Sequence, residues 1–168
     1  MATGTILLPI LGATPDPTNP PAVLFTAANR PYLTFDASTD ELCLWTFRMP
    51  ENYASAPLLK VQYSMVSAVS GDANNEIVIA AEVMSVDDGE DVDTDSFDTP
   101  NVSTTTVVPA TAGLMDDLSI TLTNDGSPSP MAANANVSIR FRRDADNAAD
   151  DAAGDMEVWA VSLEYTTT

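Results

Sequence analysis

Histidine is absent from this chain and cysteine occurs once, as Cys43. Without histidine there is no Ser-His or Cys-His pair to activate a nucleophile, and the commonest zinc ligand is missing. A single cysteine leaves no internal disulfide, so stability must come from core burial and association. Cys43 lies in the apolar run Leu42-Cys43-Leu44-Trp45 and is expected as a buried, inert thiol. Positive charge is also scarce: 6 Lys and Arg, Lys60 being the lone lysine, stand against 25 Asp and Glu for a formal charge of -19. Such a surface repels nucleic-acid phosphates and anionic headgroups, so neither nucleic acid nor membrane is an expected partner. No run approaches the roughly 18 apolar residues of a membrane helix. Ile6-Leu7-Leu8, stopped at Pro9, lacks the basic start and the length of a signal peptide, so the expectation is synthesis in a cytoplasm without a cleaved leader.

Against these absences stands an ordinary apolar content of 45% with only 18% charged residues, enough to build a core despite the acid excess. The length of 168 residues fits one domain. Six of the 12 prolines, Pro9, Pro15, Pro17, Pro20, Pro21 and Pro31, fall in the first 31 residues, which excludes helix and disfavours a central strand there. Residues 1–30 therefore read as an extended arm. Within it, Thr3–Leu8 has the makings of an edge strand, added either to its own sandwich or to a neighbour.

From residue 31 to 168 the chain alternates apolar and polar residues between turn signals. Strands are expected at Tyr32–Phe35, Leu42–Met49, Leu59–Met65, Ile77–Val86, Val102–Val108, Leu118–Leu122, Val137–Arg142 and Met156–Thr166. Ser70-Gly71-Asp72, Asp88-Gly89-Glu90, Asn124-Asp125-Gly126 and Ala153-Gly154-Asp155 mark reversals. About eight strands without crossover helices predict an all-β antiparallel two-sheet sandwich, a jelly roll first and a seven-strand Greek key as the alternative.

Three groupings have chemical potential. The loop Asp87–Asp98 carries seven carboxylates and no base, and Asp91, Asp93 and Asp95 have the alternate spacing that lets side chains converge on Ca²⁺. An EF-hand starting at Asp91 would need Gly and Glu where this chain has Ser96 and Val102, so a solvated loop is the simpler expectation. Asp144, Asp146, Asp150, Asp151, Asp155 and Glu157 follow Arg140, Arg142 and Arg143, where bidentate ion pairs fixing a loop are expected. Carboxylate pairs alone can hydrolyse glycosides, but no pair is singled out, and no enzyme is expected. Exposed aromatics could stack on sugars; the candidates are Tyr32, Trp45, Tyr53, Tyr63, Trp159 and Tyr165. Trp45, and Trp159 beside Val161 and Leu163, read as core, and Tyr53 as the most exposed of the six.

The run from Phe35-Asp36 through Trp45-Thr46-Phe47-Arg48-Met49-Pro50-Glu51-Asn52-Tyr53 into Leu59–Ser64, with the ending from Arg142-Arg143-Asp144 through Gly154-Asp155 to Tyr165, is similar to small jelly-roll virion proteins of tailed bacteriophages. That resemblance implies a capsid decoration or cement protein, a homotrimer on the outer surface of the virion's major capsid protein lattice, with no cofactor. The contact surface would be the arm, through Thr3, Ile6, Leu7, Leu8, Pro9, Pro15, Pro17, Pro20 and Pro21. The competing expectation is a receptor- or carbohydrate-binding module of a phage head fibre or tail tip, which would need exposed aromatic or polar loop clusters at one end of the sandwich.

Overall fold

The computed structural model describes residues 2–67, 75–94, 96–103, 105–123 and 129–168. The described strands are β1 (Thr3–Leu8), β2 (Thr14–Pro15), β3 (Ala22–Phe25), β4 (Pro31–Phe35), β5 (Leu42–Arg48), β6 (Tyr53–Met65), β7 (Glu76–Ile77), β8 (Ile79–Val86), β9 (Asn101–Val102), β10 (Thr106–Val107), β11 (Asp116–Thr121), β12 (Asn136–Arg143) and β13 (Met156–Thr167). Two short 3-10 turns, Ile10–Gly12 and Val92–Thr94, interrupt them.

The front sheet runs β11-β6-β13-β4-β3, with β1 also paired to β13; the back sheet runs β2-β5-β12-β8-β9, and β7 pairs with β10. Each of these ladders is antiparallel. The orders β4-β13-β6-β11 and β5-β12-β8-β9 are the two four-strand sheets of a jelly roll, the chain crossing between layers at each step among these eight strands except from β8 to β9, which are neighbours in the back sheet. The expected sandwich is therefore present.

Its core is the set of side chains that alternate inward from both layers. Leu33, Phe35, Leu59, Val61, Tyr63 and Leu163 from the front meet Cys43, Trp45, Val83, Val137, Ile139 and Phe141 from the back, all at 2% exposure or less. Phe35 meets Phe141 edge-on across the layers at 5.3 Å. Cys43 is buried as expected, and loss of water pushes its thiol pKa up, which keeps it unreactive. The indole of Trp45 donates to the Pro9 carbonyl at 2.9 Å, so a buried donor is satisfied by the N-terminal segment.

Local departures have local causes. The expected strand Ile77–Val86 is broken at Val78, whose N–H goes to the Asp150 carboxylate at 3.0 Å and whose carbonyl takes the Asp144 N–H at 2.8 Å. Where one strand is expected over Val102–Val108, the described residues give two-residue pieces, β9 starting one residue earlier at Asn101 and β10 at Thr106–Val107, which pair with different strands. β6 starts at Tyr53, well before Leu59. The turn at Asp88-Gly89 is present, with Gly89 at φ 89, while the stretches at 70–72 and 124–126 lie outside the described residues.

Of the two destinations open to Thr3–Leu8, the chain takes its own sandwich: β1 pairs with β13 from Thr3↔Thr166 to Leu8↔Val161. β2 and β3 likewise sit at sheet edges, where Pro15 removes no ladder bond from a central strand. Close approach of β1 depends on Gly4, since a Cβ there would lie 2.3 Å from Cζ of Tyr165. Gly4→Ala is expected to lift β1 off β13, seen as faster hydrogen exchange across residues 3–8 with the rest of the front sheet unchanged. Unaltered exchange would show that Tyr165 can move aside without cost.

Candidate functional site

The front sheet turns its polar side outward. β6 presents Lys60 and Gln62 there, β11 presents Asp117 and Ser119, and β13 presents Ala160 and Ser162. Together with Leu7 of β1 they line an open groove of about 570 Å³. Lys60 is held by Glu164 at 3.2 Å, so the groove carries compensated charge and several neutral hydrogen-bonding groups.

At one end of the groove lies an aromatic pair. Trp159 stacks on Tyr32 with ring centroids 4.5 Å apart and planes at 27°. The Arg30 guanidinium lies 5.2 Å from the indole centroid, within cation–π range. The indole N–H donates to the Ser64 hydroxyl at 2.8 Å, and that hydroxyl donates to Glu157 at 2.7 Å. Stacking, cation and hydrogen-bond chain together hold the half-buried indole in one orientation. Lys60, Gln62 and Ser64 fall on one face of β6, so the polar groove and the aromatic pair form one strip along the strand, roughly 14 Å from the first to the last of these residues.

The placement of Trp159 corrects its reading as a core residue. Val158 pairs with Tyr63 and Ala160 with Gln62, leaving Trp159 as the extra residue of a β-bulge. The bulge resets the alternation, so that Val158 and Val161 both point into the core while Trp159 and Ala160 between them face out. Tyr53 is likewise corrected: it is buried against Tyr165, ring centroids 5.6 Å apart. Trp45, Tyr63 and Tyr165 are buried too, so of the six aromatic candidates Tyr32 and Trp159 alone are available at a surface.

The residues expected as partner contacts are dispersed. Leu8 and Pro21 are buried, Ile6 packs partly against the core, and Thr3, Leu7, Pro9, Pro15, Pro17 and Pro20 are exposed. Leu7 alone among them reaches the groove. In the acidic loop, Asp91 and Asp93 are exposed, with the Asp93 N–H donating to the Asp91 carboxylate at 3.0 Å; Asp95 lies outside the described residues. A different trio, Asp40, Asp144 and Asp146, brings carboxylate oxygens within 4.8 Å of one another. Desolvation, then the nearby Asp146, raises the Asp40 pKa, and Arg142 works against both. Arg142 reaches Asp40 at 3.3 Å, Asp144 at 3.1 Å and Glu82 at 3.2 Å, supplying the positive charge that a cation would bring.

The arginine-carboxylate pairing expected from the sequence is realised at the base of β12. Arg143, fully buried, grips Asp150 with Nε at 2.9 Å and Nη2 at 2.6 Å, and donates from Nη1 to the Gly154 carbonyl and from Nη2 to the Ala152 carbonyl, each at 2.6 Å. Arg140 bonds Glu82 and lies under the ring of Phe97. These contacts fasten loops to the back sheet and leave the front groove free of them.

No protein-family profile and no curated protein matches the sequence. Solved structures do match in fold. A native family 35 carbohydrate binding module from Clostridium thermocellum superposes with a TM-score of 0.55 at 12% identity, covering 95% of this chain and 97% of that one. The xylan-binding module CBM15 gives 0.54 at 12%, covering 99% of each, and a family 35 module from Cellvibrio japonicus gives 0.52 at 7%, covering 98% and 99%. At such identities the likeness is one of fold: the whole chain, N-terminal segment included, has the extent of a single β-sandwich of this kind.

Proposed function

We propose that this protein is a carbohydrate-binding module that takes a neutral polysaccharide chain along the outer face of its front sheet, with Trp159 and Tyr32 at one end and the groove of Lys60, Gln62, Asp117, Ser119 and Ser162 beyond. The observation that carries this is the bulge at Trp159, which brings a tryptophan out of the core and sets it beside a groove furnished with amides, hydroxyls and charges. A pyranose offers an apolar C–H face and a rim of hydroxyls; the indole suits the first and the groove the second. The whole-chain likeness to modules of this class supports the reading.

Charge narrows the ligand. Asp117, Glu157 and Glu164 line or border the strip against Lys60 and Arg30, and the chain as a whole carries -19. A polyuronate or sulfated glycan would meet repulsion, so neutral xylans, glucans or mannans are the fitting class. Nothing in the strip requires a nucleophile or a metal, and binding without turnover is sufficient.

The capsid reading drew on an arm free to lie across a lattice. β1 is already bonded to β13, so a lattice contact would have to use what β1 leaves exposed, chiefly Leu7 and the prolines that follow. The sugar-binding reading is tested by electrophoresis through gels containing single polysaccharides. Retardation is expected with at least one neutral polysaccharide and none with polygalacturonate or heparin. Migration unaffected by every neutral polysaccharide, or retardation by the polyanions alone, would overturn it.

A further inference from the structure

We infer that β3 is a self-pairing edge, joining antiparallel to β3 of a second copy so that two front sheets become one continuous sheet across a two-fold axis. Among the described residues, β3 ends the front sheet and is bonded on one side only, to β4. The Thr26 N–H donates to the Arg30 carbonyl at 3.0 Å, which sets the parity of the hairpin. Residues 22 and 24 then point their backbone groups at β4, and the N–H and C=O of Val23 and Phe25 point away from it.

All four residues of β3 are exposed. Val23 at 42%, Leu24 at 43% and Phe25 at 52% lie on both faces of the strand, and the molecule's own core covers none of them. Other edges are guarded. β11 carries Asp116 and Asp117, β2 and β9 are two residues long, and β1 turns Ile6 and Leu8 inward, leaving one large apolar side chain, Leu7, outside. β3 has no such protection apart from the prolines before it.

The occupant follows from charge and symmetry. A second copy brings another -19, so acid meets acid over most of the surface. The stretch between Asp16 and Arg30 contains no charged residue, and β3 is its centre. Antiparallel pairing about Leu24 sets Val23 of each copy opposite Phe25 of the other, which closes both outward pairs of backbone groups and packs Leu24 against Leu24 on the outer face.

Pairing would also align the two aromatic strips. Trp159 on β13 is separated from β3 by β4 alone, so the indoles of the two copies would stand five strand spacings apart, roughly 24 Å, on one surface. A polysaccharide long enough to reach both gains avidity. This consequence rests on the glycan reading; the dimer does not.

Sedimentation equilibrium of the full chain, from micromolar to millimolar, tests the pairing. A reversible dimer of twice 17.7 kDa is expected, tighter at high salt because screening relieves repulsion between the copies. Val23→Pro removes an outward N–H while sparing the bonds to β4, and Leu24→Lys sets like charges face to face. Each should weaken the dimer by at least about tenfold, whereas Leu7→Lys, on the β1 edge, should leave it intact. If Val23→Pro disturbs the fold, as an altered melting curve would reveal, Leu24→Lys decides alone. A monomer at every concentration, a trimer, or a dimer indifferent to Leu24→Lys would overturn the proposal. A dimer that binds no polysaccharide would leave it standing and remove only the glycan reading.

Discussion

Trp159→Ala is expected to weaken binding to the retained polysaccharide by at least about thirtyfold, the loss of a ring that anchors a contact, worth on the order of 2 kcal/mol or more. The change removes the stacking partner of Tyr32 and the anchor of Arg30, so the aromatic end of the strip would lose its order as well as its largest face. Because the indole lies outside the core, the sandwich should persist, with circular dichroism unchanged and a modest fall in melting temperature. Trp159→Phe keeps a ring but not the N–H that bonds Ser64, and should fall between the two. Gel retardation and calorimetric titration read the effect; wild-type affinity in the alanine variant, with its fold intact, would mean that the sugar is held elsewhere.

The largest effect on stability is expected at Arg143. Its side chain and that of Asp150 are 0% and 1% exposed, and Asp150 also accepts the Val78 N–H that interrupts the back sheet. Arg143→Met leaves the carboxylate buried without its cation and strands the carbonyls of Ala152 and Gly154. Breaking a buried pair from one side costs about 3–5 kcal/mol, which for a chain of this size lowers the melting temperature by roughly 6–20 °C. Arg143→Lys retains charge but not the fork that meets both carboxylate oxygens and both carbonyls, so it should recover only part of the loss. Scanning calorimetry measures both; a loss under about 1 kcal/mol would show that water reaches Asp150 when the arginine is gone. Carbohydrate binding should survive in the folded fraction, since the pair belongs to the back of the molecule.

These two residues also show where the sequence was legible. The alternation of Leu59, Val61, Tyr63 and Met65, and of Val137, Ile139 and Phe141, marks the strands of two half-buried sheets, because a period of two has one meaning when one face is wet. The run of acids after Arg143 likewise announced an ion-paired loop. The outward side of Trp159 is not legible for a physical reason: a bulge adds one residue to one strand, and nothing in Val158-Trp159-Ala160-Val161 declares which residue is the extra one. Val161, Leu163 and Tyr165 remained a good inward face, but Trp159 preceded the shift and belonged to the other side. β3 carries no strand signal because Ala22–Phe25 follows two prolines and its apolar residues alternate with nothing polar. The groove could not be read at all, since it joins residues from β1, β6, β11 and β13 that only the sheet order brings together.

The most direct measurement is a two-dimensional NMR titration of the protein with oligosaccharides cut from whichever neutral polysaccharide retards it. Binding on the front sheet predicts shifts of the Trp159 indole N–H and of the Gln62, Asp117, Ser119 and Ser162 amides, which saturate together, with the back-sheet amides of β5 and β12 unmoved. Shifts gathered on the loops beside Asp40 and Asp144, with the Trp159 indole unchanged, would contradict the account.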